Sequence, residues 1–400
     1  MRFRMALLLA RVAAGLSRRL GRGSGRVIGG AVLLRLAPAD IASRARACRI
    51  TIVSGTNGKS TTTAMITSAL RTRGPVSTNA DGANTPHGLA WAVATAASDE
   101  IVLEVDESWV PWAVHTLRPR AAVLLNLTRD QLHRKPEILP LAEAWRAVMP
   151  LVDRVVANAD DPAVVWAAMA APRVEYVVTG AQWVLDSVLC PRCQDVLRDR
   201  AGEWSSACGL RRPPAAVRVC AGRIEVDGIL RAAYDALPGP ANLANAATAV
   251  AAVRDRVPPE AAVSAIAATV HDVAGRYREV WVDGRRVRLL LAKNPAGWQA
   301  VVKMLRDDAS ALLAFSADGV DGRDTSWLYD VDFEPLRGRR VAVTGPRAMD
   351  LAVRLHLDGI EPAPVLPSVR AGVDVLPPGD VDLVATYSAF QSARRELHVA

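Results

Sequence analysis

The sequence predicts an α/β protein with a doubly wound, mostly parallel central sheet, followed by a smaller, Rossmann-like α/β domain. Two observations predict this fold class. Short apolar segments rich in Val, Ile and Leu alternate with longer helix-favouring segments from residue 50 to 180, and a second alternation begins near Gly275. A crossover helix returns the chain to the start of the next parallel strand, so this alternation is typical of a parallel sheet.

The predicted elements follow the chain in that order. The first sheet takes strands at 50–54, 101–105, 121–125, 153–157 and 174–178, with helices at 60–71, 86–97 and 140–149. Two Ala-rich helices follow, at 241–253 and 259–271. The second domain takes strands at 279–282, 286–291, 310–315, 340–344 and 382–386, with helices at 295–306 and 346–357. We therefore expect one domain over 1–273 and another over 274–400.

The segment from about 186 to 228 interrupts the first domain. It is rich in turn-forming residues and carries four of the five cysteines, which predicts a cysteine-ribbon insertion. Cys190 and Cys193 have the spacing of a zinc knuckle, and Cys208 is the next candidate ligand. A closed structural zinc site needs four ligands, and the residue three before Cys208 is Ser205, a poor ligand. Structural Zn²⁺ therefore stays an open alternative.

Composition limits the class of partner. The chain has 400 residues, 50% hydrophobic and 22% charged, which is enough for two or three globular domains. Its net charge of +8 favours anionic partners: nucleic acid, an anionic membrane surface or anionic small substrates. Basic residues interleaved with aromatics in an RNA-binding signature are lacking, so we expect no nucleic-acid partner.

The first twenty residues are apolar and basic. Arg11 interrupts the apolar run and no clean cleavage site follows, so the segment is a poor signal peptide and too short for a membrane span. Residues 3–20 are instead predicted as a basic amphipathic helix, which either packs on the domain or contacts an anionic membrane surface. We expect a cytoplasmic protein, with the inner face of the plasma membrane as an alternative location.

A glycine loop carries the main functional signal. Residues Gly55–Thr61 follow an apolar strand and open a helix, and they place Lys59 and Ser60 at the helix start. In that context backbone N–H groups bind phosphate, the Lys ammonium reaches the outer phosphates, and the Ser hydroxyl ligates Mg²⁺. Only two residues separate the glycines, which departs from the common phosphate-loop spacing, but the strand–loop–helix context predicts nucleotide binding.

Acidic residues end the next predicted strand. Glu104 is its last residue, with Asp106 and Glu107 close behind. The carboxyl ends of parallel strands meet at the ligand edge of the sheet, where a carboxylate can hold the Mg²⁺ of a nucleotide. We predict Glu104 as a magnesium ligand. Asn242 and Asn245, three apart on the Ala-rich helix, suit either nucleotide contacts or capping.

These motifs together resemble the MurT subunits of lipid II isoglutaminyl synthases, in the Mur ligase superfamily. The likeness covers most of the chain. Its motifs are the glycine loop, residues 79–84, 104–107, 129–132 and 158–162, the cysteine ribbon, and 293–298, 317–334 and 347–350 of the second domain.

The resemblance implies an ATP-dependent amidation that serves peptidoglycan and cell wall biogenesis, and so cell shape. The α-carboxyl of D-glutamate in the lipid II stem peptide becomes D-isoglutamine through an acyl phosphate. A GatD-type glutaminase subunit, forming a heterodimer with this chain, supplies the ammonia. This chain has no cysteine placed beside a base, which agrees with a separate glutaminase.

The resemblance also assigns residues. It implies that ATP binds Gly55, Thr56, Asn57, Gly58, Lys59, Ser60, Thr61, Asn242 and Arg276, that Ser60 and Glu104 hold Mg²⁺, and that Lys293 contacts phosphate. It implies that Asp330 or Asp324 supports the catalytic Cys–His pair of the glutaminase. Two residues depart from the family pattern: Ser205 replaces a ribbon cysteine, and His133 stands where an aspartate is usual.

Two other functions remain open from the sequence. One is a folylpolyglutamate-type or Mur-type ligase that adds an amino acid and needs no glutaminase. The other is an inactive nucleotide-binding scaffold that recruits a glutaminase. Amino-acid-dependent phosphate release would indicate the first, and ATP binding without turnover would indicate the second.

Overall fold

The described residues form two compact units. The structure is a computed structural model that describes residues 2–21, 23–79, 82–129, 138–180, 185–200, 202–270, 277–318, 323–361 and 364–398. The first unit takes residues up to 127 and from 138 to 270, and the second takes residues 128–129 and everything described from 277 onward. The predicted boundary at 273/274 lies outside the described residues.

A nine-stranded sheet organises the described part of the first unit. Its strands are β1 (Arg49–Ser54), β2 (Ser77–Thr78), β3 (Glu100–Glu104), β4 (Ala121–Leu124), β5 (Arg154–Asn158), β6 (Val174–Val178), β9 (Val217–Cys220), β10 (Arg223–Val226) and β11 (Ile229–Ala233). Their order across the sheet is β11-β10-β9-β6-β5-β4-β1-β3-β2. All pairs from β2 to β9 are parallel, and only β9–β10 and β10–β11 are antiparallel. The prediction of a mostly parallel, doubly wound sheet is confirmed.

The register of the sheet brings functional segments together. Strand β1 lies between β3 and β4, with Val53 opposite both Glu104 and Val123. The strand is buried over 50–54, as its Ile- and Val-rich sequence predicts. Since β1, β3 and β4 run parallel, the loops that follow them emerge at one edge of the sheet.

Helices cover this sheet. They are α1 (Arg2–Arg19), α2 (Arg26–Leu36), α3 (Pro38–Ala47), α4 (Lys59–Arg71), α5 (Pro86–Thr95), α6 (Val110–Leu117), α7 (Ile138–Val148), α8 (Pro162–Ala168), α9 (Pro240–Val253) and α10 (Pro259–Thr269). Short 3-10 helices lie at Glu107–Trp109, Met149–Leu151 and Leu185–Ser187. The core includes Ile50, Ile52, Leu103, Leu124 and Trp145, all fully buried.

The N-terminal helices pack through small residues. A Cβ on Gly29 would lie 2.4 Å from the Trp91 ring, and one on Gly30 would lie 1.7 Å from the His87 carbonyl oxygen. Helix α2 therefore crosses α5 at a distance that only glycine permits. Helix α1 packs on α2 largely through alanines, and a Cβ on Gly25 would overlap the Ala14 backbone.

The segment 186–228 divides into two parts. Strands β7 (Arg198–Arg200) and β8 (Glu203–Ser205) form a separate two-stranded hairpin beside the cysteines. Strands β9 and β10 instead extend the main sheet, because β9 pairs in parallel with β6. The ribbon is therefore confined to the part of the predicted insertion that precedes β9.

The second unit is a smaller α/β fold. Its five-stranded sheet has the order β12-β13-β16-β14-β15, from β12 (Tyr277–Val282), β13 (Arg285–Leu291), β14 (Ser310–Ala314), β15 (Val341–Thr344) and β16 (Val381–Ala385). Its helices are α11 (Pro295–Val302), α12 (Ala348–Leu357), α13 (Val369–Val375) and α14 (Tyr387–Glu396), with 3-10 helices at Ser326–Asp330 and Glu334–Leu336. Among the described strands of this sheet, only the pair β12–β13 is antiparallel. The predicted C-terminal α/β domain is confirmed as a fold.

An aromatic cluster and a buried ion pair stabilise this second unit. Trp298 contacts Phe315 and Phe333 edge-on, with ring centroids 6.2 and 6.0 Å apart. Arg288 on β13 pairs with Asp382 on β16 at 2.7 Å, and both side chains are nearly buried. The Arg288 guanidinium donates two hydrogen bonds to this carboxylate, and Arg306 donates two more through its backbone N–H and its Nε, so both carboxylate oxygens have donors although they are removed from water.

Asp161 ties helix α8 to the end of β4. Its Oδ1 accepts hydrogen bonds from the Ala163 and Val164 N–H groups and caps the helix, while Oδ2 accepts from Leu127 N at 2.7 Å. Burial raises the pKa of Asp161 to about 6, although the three N–H donors act in the opposite direction. The folded protein therefore binds a proton at this carboxyl at higher pH than the unfolded chain does.

We predict that Asp161→Asn flattens the pH dependence of stability. As pH falls through 6, the native protein gains stability from protonating Asp161, because the unfolded carboxyl still remains ionised until about pH 4. An amide cannot make this gain, so the destabilisation caused by Asp161→Asn should be about 1 kcal/mol larger at pH 5 than at pH 7.5. Chemical denaturation at both pH values measures it. Exposed Asp153→Asn is the control, and parallel profiles for native protein and Asp161→Asn would contradict the prediction.

Candidate nucleotide site

The glycine loop, Gly55–Thr61, connects β1 to α4 and depends on two glycines. Gly55 and Gly58 have φ angles of 146° and 85°, which residues with a Cβ rarely adopt. A Cβ on Gly55 would lie 2.8 Å from the Leu125 Cβ, and one on Gly58 would lie 2.5 Å from Asn245 Oδ1. Glycine is therefore required at both positions for this loop shape.

Lys59 is the buried cation of the loop. Its side chain is 5% exposed, and Nζ donates hydrogen bonds to the Gly55 and Thr56 carbonyl oxygens at 2.6 and 3.1 Å. A third bond goes to Glu107 Oε2 at 2.9 Å. The loop thus wraps around the ammonium, and Glu107 supplies the neutralising charge. The backbone carbonyl of Glu107 in turn accepts from Trp145 Nε1 at 2.8 Å, which fixes its position.

Glu104 joins the end of β3 to the start of α4. Its Oε2 accepts a hydrogen bond from Ser60 Oγ at 2.5 Å, and its Oε1 accepts from Asn84 Nδ2 at 2.9 Å. The Asn79 side chain binds the Glu104 backbone twice. Its Nδ2 donates to the Glu104 carbonyl oxygen and its Oδ1 accepts from the Glu104 N–H, both at 2.8 Å. A hydroxyl and a carboxylate oxygen therefore lie side by side, and these are ligand types that Mg²⁺ prefers.

Asparagines from other segments hold the loop. Asn126, just after β4, accepts from the Asn57 N–H at 2.8 Å and donates to its carbonyl at 3.0 Å. Its backbone carbonyl accepts from Thr56 N at 2.9 Å. No specific contact follows from the sequence for Asn126 or Asn84, although Asn84 belongs to the 79–84 motif of the family resemblance. The only available signal was a polar residue directly after a buried strand, or in a polar loop.

The remaining predicted nucleotide residues are placed as follows. Helix α4 begins at Lys59 with Gly58 as its N-cap, so no side chain caps its first N–H groups. Such a helix end suits an anion.

Asn242 lies in the first turn of α9, half-buried, and donates to the Pro238 carbonyl at 2.7 Å. Asp106 caps the 3-10 helix that contains Glu107, accepting from Ser108 N. Arg276 and His133 lie outside the described residues.

Comparison with known proteins shows what this chain is similar to. Residues 53–183 match the family model of the Mur ligase middle domain, and residues 291–390 match that of the MurT ligase C-terminal domain. The chain is 28% identical over 340 residues to the subunit MurT of the lipid II isoglutaminyl synthase (glutamine-hydrolyzing) of Staphylococcus aureus strain COL, covering 78% of each chain. The two matched ranges are thus similar to two domains of Mur-type ligases. The chain is a homologue of MurT subunits over most of its length.

Two further similarities agree with this. The MurT subunit of Streptococcus pneumoniae R6 is 28% identical over 394 residues, covering 89% of this chain and 87% of its own. The structure of the MurF ligase of Thermotoga maritima in complex with ADP has a TM-score of 0.61 at 17% identity, covering 90% of this chain and 84% of its own. The Mur ligase fold is therefore shown, and the family comprises carbon–nitrogen ligases.

Acidic residues of the MurT-like C-terminal unit have different surroundings. Asp330 ends the Ser326–Asp330 helix, is 31% exposed and pairs with Arg129 at 3.0 Å. It lines an open cavity of about 380 Å³ together with Asp332 and Glu334. Asp324 instead accepts a hydrogen bond from Ser326 N at 2.9 Å. Of the two predicted acids, only Asp330 lines this cavity.

Lys293 follows β13 and is half-buried, and Asn294 beside it caps α11 by accepting from Gly297 N.

Within the described residues, no helix is long and apolar enough to cross a bilayer.

Three cysteines of the ribbon converge. The sulfurs of Cys190, Cys193 and Cys208 all lie within 4.8 Å of one another. The fourth side is taken by Ser206, whose hydroxyl lies 3.1 Å from Cys193 Sγ and 3.5 Å from Cys208 Sγ. Ser205, the residue at the expected ligand spacing, belongs to β8. The Ser206 hydroxyl lowers the pKa of Cys208 to about 7, which favours the thiolate that binds metals. The hydrogen bond with Ser206 acts in the same direction on Cys193, but desolvation and the hydrogen bonds with Cys190 and Cys208 outweigh it, so the pKa of Cys193 is raised instead. The cluster thus fits three of the four ligands of a zinc site. Cys220 is exposed at the end of β9, outside this group.

We predict that Ser206→Cys strengthens zinc binding, because it supplies the fourth thiolate. Zinc measured by plasma mass spectrometry after incubation with a chelator should be retained better by Ser206→Cys than by native protein. Cys193→Ser should lose zinc, whereas Cys220→Ser should behave like native protein. Equal zinc content in all four proteins would show that the cluster is not a zinc site.

Proposed function

We propose that this chain is the ligase subunit of a lipid II amidating enzyme. It would convert the α-carboxyl of the stem-peptide D-glutamate to the amide of D-isoglutamine, using ATP and ammonia. The observation that carries this proposal is the glycine loop with buried Lys59 and the Ser60–Glu104 pair, in a chain whose relatives are MurT subunits over most of its length. Peptidoglycan biosynthesis is the process these relatives serve.

The chemistry requires activation of a carboxylate. An amine does not displace an oxide from a carboxylate, because the oxide is a poor leaving group. Transfer of the terminal phosphoryl group of ATP to the carboxylate oxygen gives an acyl phosphate, and ammonia then attacks the carbonyl carbon and expels phosphate. Enzymes accelerate phosphoryl transfer by positioning and by neutralising charge.

The residues of the glycine loop suit these two tasks. The loop would form the cradle for the phosphates, through residues Gly55, Thr56, Asn57, Gly58 and Thr61. Its shape requires the two glycines, because a side chain on either one would collide with its neighbours. Lys59 would contact the outer phosphates in exchange for its bond to Glu107. Ser60 and Glu104 would hold Mg²⁺, whose chemistry at this position is to neutralise phosphate charge and orient the transferring group.

Two residues are proposed for the rest of the nucleotide. Asn242, in the first turn of α9, would contact the adenine if its amide released the Pro238 carbonyl. Arg276 remains a sequence-based proposal for the nucleotide.

Lys293 is proposed as a contact for the transferred phosphate.

Ammonia would come from a separate GatD-type glutaminase. The S. aureus and S. pneumoniae relatives are named as subunits of glutamine-hydrolyzing enzymes, which supports a heterodimer here. An acid of this chain would orient the histidine of the partner's Cys–His pair. Both predicted acids have partners, since Asp330 pairs with Arg129 and Asp324 accepts from Ser326 N, and we favour Asp330 because it alone of the two lines the open cavity.

We predict that Lys59→Ala abolishes ATP hydrolysis and amidation, because the outer phosphates lose their neutralising cation. Purified chain, ATP, Mg²⁺, lipid II and ammonium salt are incubated, and lipid II is analysed by mass spectrometry for the amide. The loss should be about 10³-fold or more, as for removal of a group that stabilises developing charge. Lys303→Ala, at the end of α11, is the matched control and should retain activity.

Folding is separated from chemistry by a second variant. Lys59→Ala leaves Glu107 buried without its cation, which costs stability. Lys59→Ala/Glu107→Gln removes both charges, so it should be folded by circular dichroism and still inactive. Amidation by this variant at native rate would overturn the mechanism. Phosphate release that depends on an added amino acid would favour the amino-acid-adding ligase, and ATP binding without turnover by the native chain would favour the scaffold.

The partner role of Asp330 has its own expected outcome. Asp330→Asn should lower glutamine-driven amidation by about 10²-fold, as when a histidine loses its orienting acid, and leave ammonium-driven amidation unchanged. Asp324→Asn is the matched control and should leave both unchanged. Equal loss of both reactions in Asp330→Asn would assign the residue to ligase chemistry or to folding rather than to the partner.

A further inference from the structure

Helix α1 presents its small residues inward. Ala6, Ala10, Ala14 and Ser17 are buried, at 0–9% exposure, and face α2 and the core. They recur every three or four residues and so occupy one side of the helix. A surface helix of a globular protein ordinarily buries its large apolar residues instead.

Five large apolar residues of α1 face outward, whereas Phe3 and Leu7 are half-buried and pack against the core. Met5, Leu8, Leu9, Val12 and Leu16 are 49–59% exposed and also recur every three or four residues. We call these five residues the α1 outer face. Val27 and Ile28 of α2, at 51% and 47% exposure, add apolar area on the neighbouring helix. The apolar stripe is therefore on the solvent side.

Arginines flank the α1 outer face. Arg4, Arg11 and Arg18 are exposed and spaced by seven residues, which aligns them along one edge of the helix. Arg26 and Arg35 belong to α2. The first acidic residue of the sequence is Asp40, so these two helices contain only positive charges. A second copy of this surface would oppose arginine to arginine, which disfavours self-association through it.

We propose that the α1 outer face docks on an anionic phospholipid membrane surface. Leucine, valine and methionine side chains would enter the boundary between headgroups and acyl chains, while the arginines contact lipid phosphates. A helix with an apolar face and a basic edge binds anionic bilayers in this way, lying in the plane of the interface. The proposal depends on this surface alone and stands independently of the proposed reaction.

The test is flotation of the purified full chain with vesicles. Neutral phosphatidylcholine vesicles are compared with vesicles that also contain phosphatidylglycerol. We expect binding to the anionic vesicles only, and release at about 1 M salt, where the screening length falls to about 3 Å. Leu8→Asn/Val12→Asn/Leu16→Asn and Arg4→Gln/Arg11→Gln/Arg18→Gln should each lower the bound fraction about tenfold or more.

A matched control lies on α12. Met349, Val353 and Leu357 have the same i, i+4, i+8 spacing and are 65%, 50% and 63% exposed. Replacing these three residues with Asn should leave vesicle binding at the native level. Thermal unfolding and ATP binding of all variants show that they are folded.

Three outcomes would overturn the proposal. The native chain could stay off anionic vesicles, or the α1 variants could bind them as well as the native chain does. Sedimentation could also show a native dimer that the α1 apolar variant dissociates, with no vesicle binding by either, which would assign the face to a second copy.

Discussion

An ammonium buried inside a protein must be surrounded by acceptors, and this constraint shapes the glycine loop. Lys59 reaches two carbonyl oxygens of its own loop and one carboxylate, so the loop closes around its side chain. The backbone can approach this closely only because Gly55 and Gly58 carry no Cβ. The loop shape is thus set by its own backbone and by Lys59, and a phosphate that bound Lys59 would have to compete with the Glu107 carboxylate for the ammonium.

Much of this arrangement could be predicted from local sequence. The order of strand, glycine loop and helix predicts where Lys59 and Ser60 lie, and an acid at the end of an apolar strand predicts that Glu104 reaches the same edge. The hydrogen bond between Ser60 and Glu104 agrees with both expectations. These features follow from chain direction and spacing, which the sequence states directly.

Other features depend on tertiary packing and could not be predicted. Asn126 and Asn245 meet the loop from segments about 70 and 190 residues away, at positions set by the packing of β4 and α9. The parallel pairing of β9 with β6 was hidden by the turn-rich composition around it. In the ribbon, the ligand spacing points to Ser205, but Ser205 is the last residue of β8. Ser206, the next residue, contacts the thiols instead.

The alanine side of α1 also sets how firmly that helix is held. Detaching it would expose the methyl groups of Ala6, Ala10 and Ala14 and the half-buried Phe3 and Leu7, whereas opening a central strand would expose fully buried Ile and Val side chains, so we expect α1 to open at a lower free energy. Within the first unit we therefore expect α1 to open locally more readily than the buried strand β1. Amide hydrogen exchange should therefore be fast in α1 while the glycine loop, anchored to β1, remains protected.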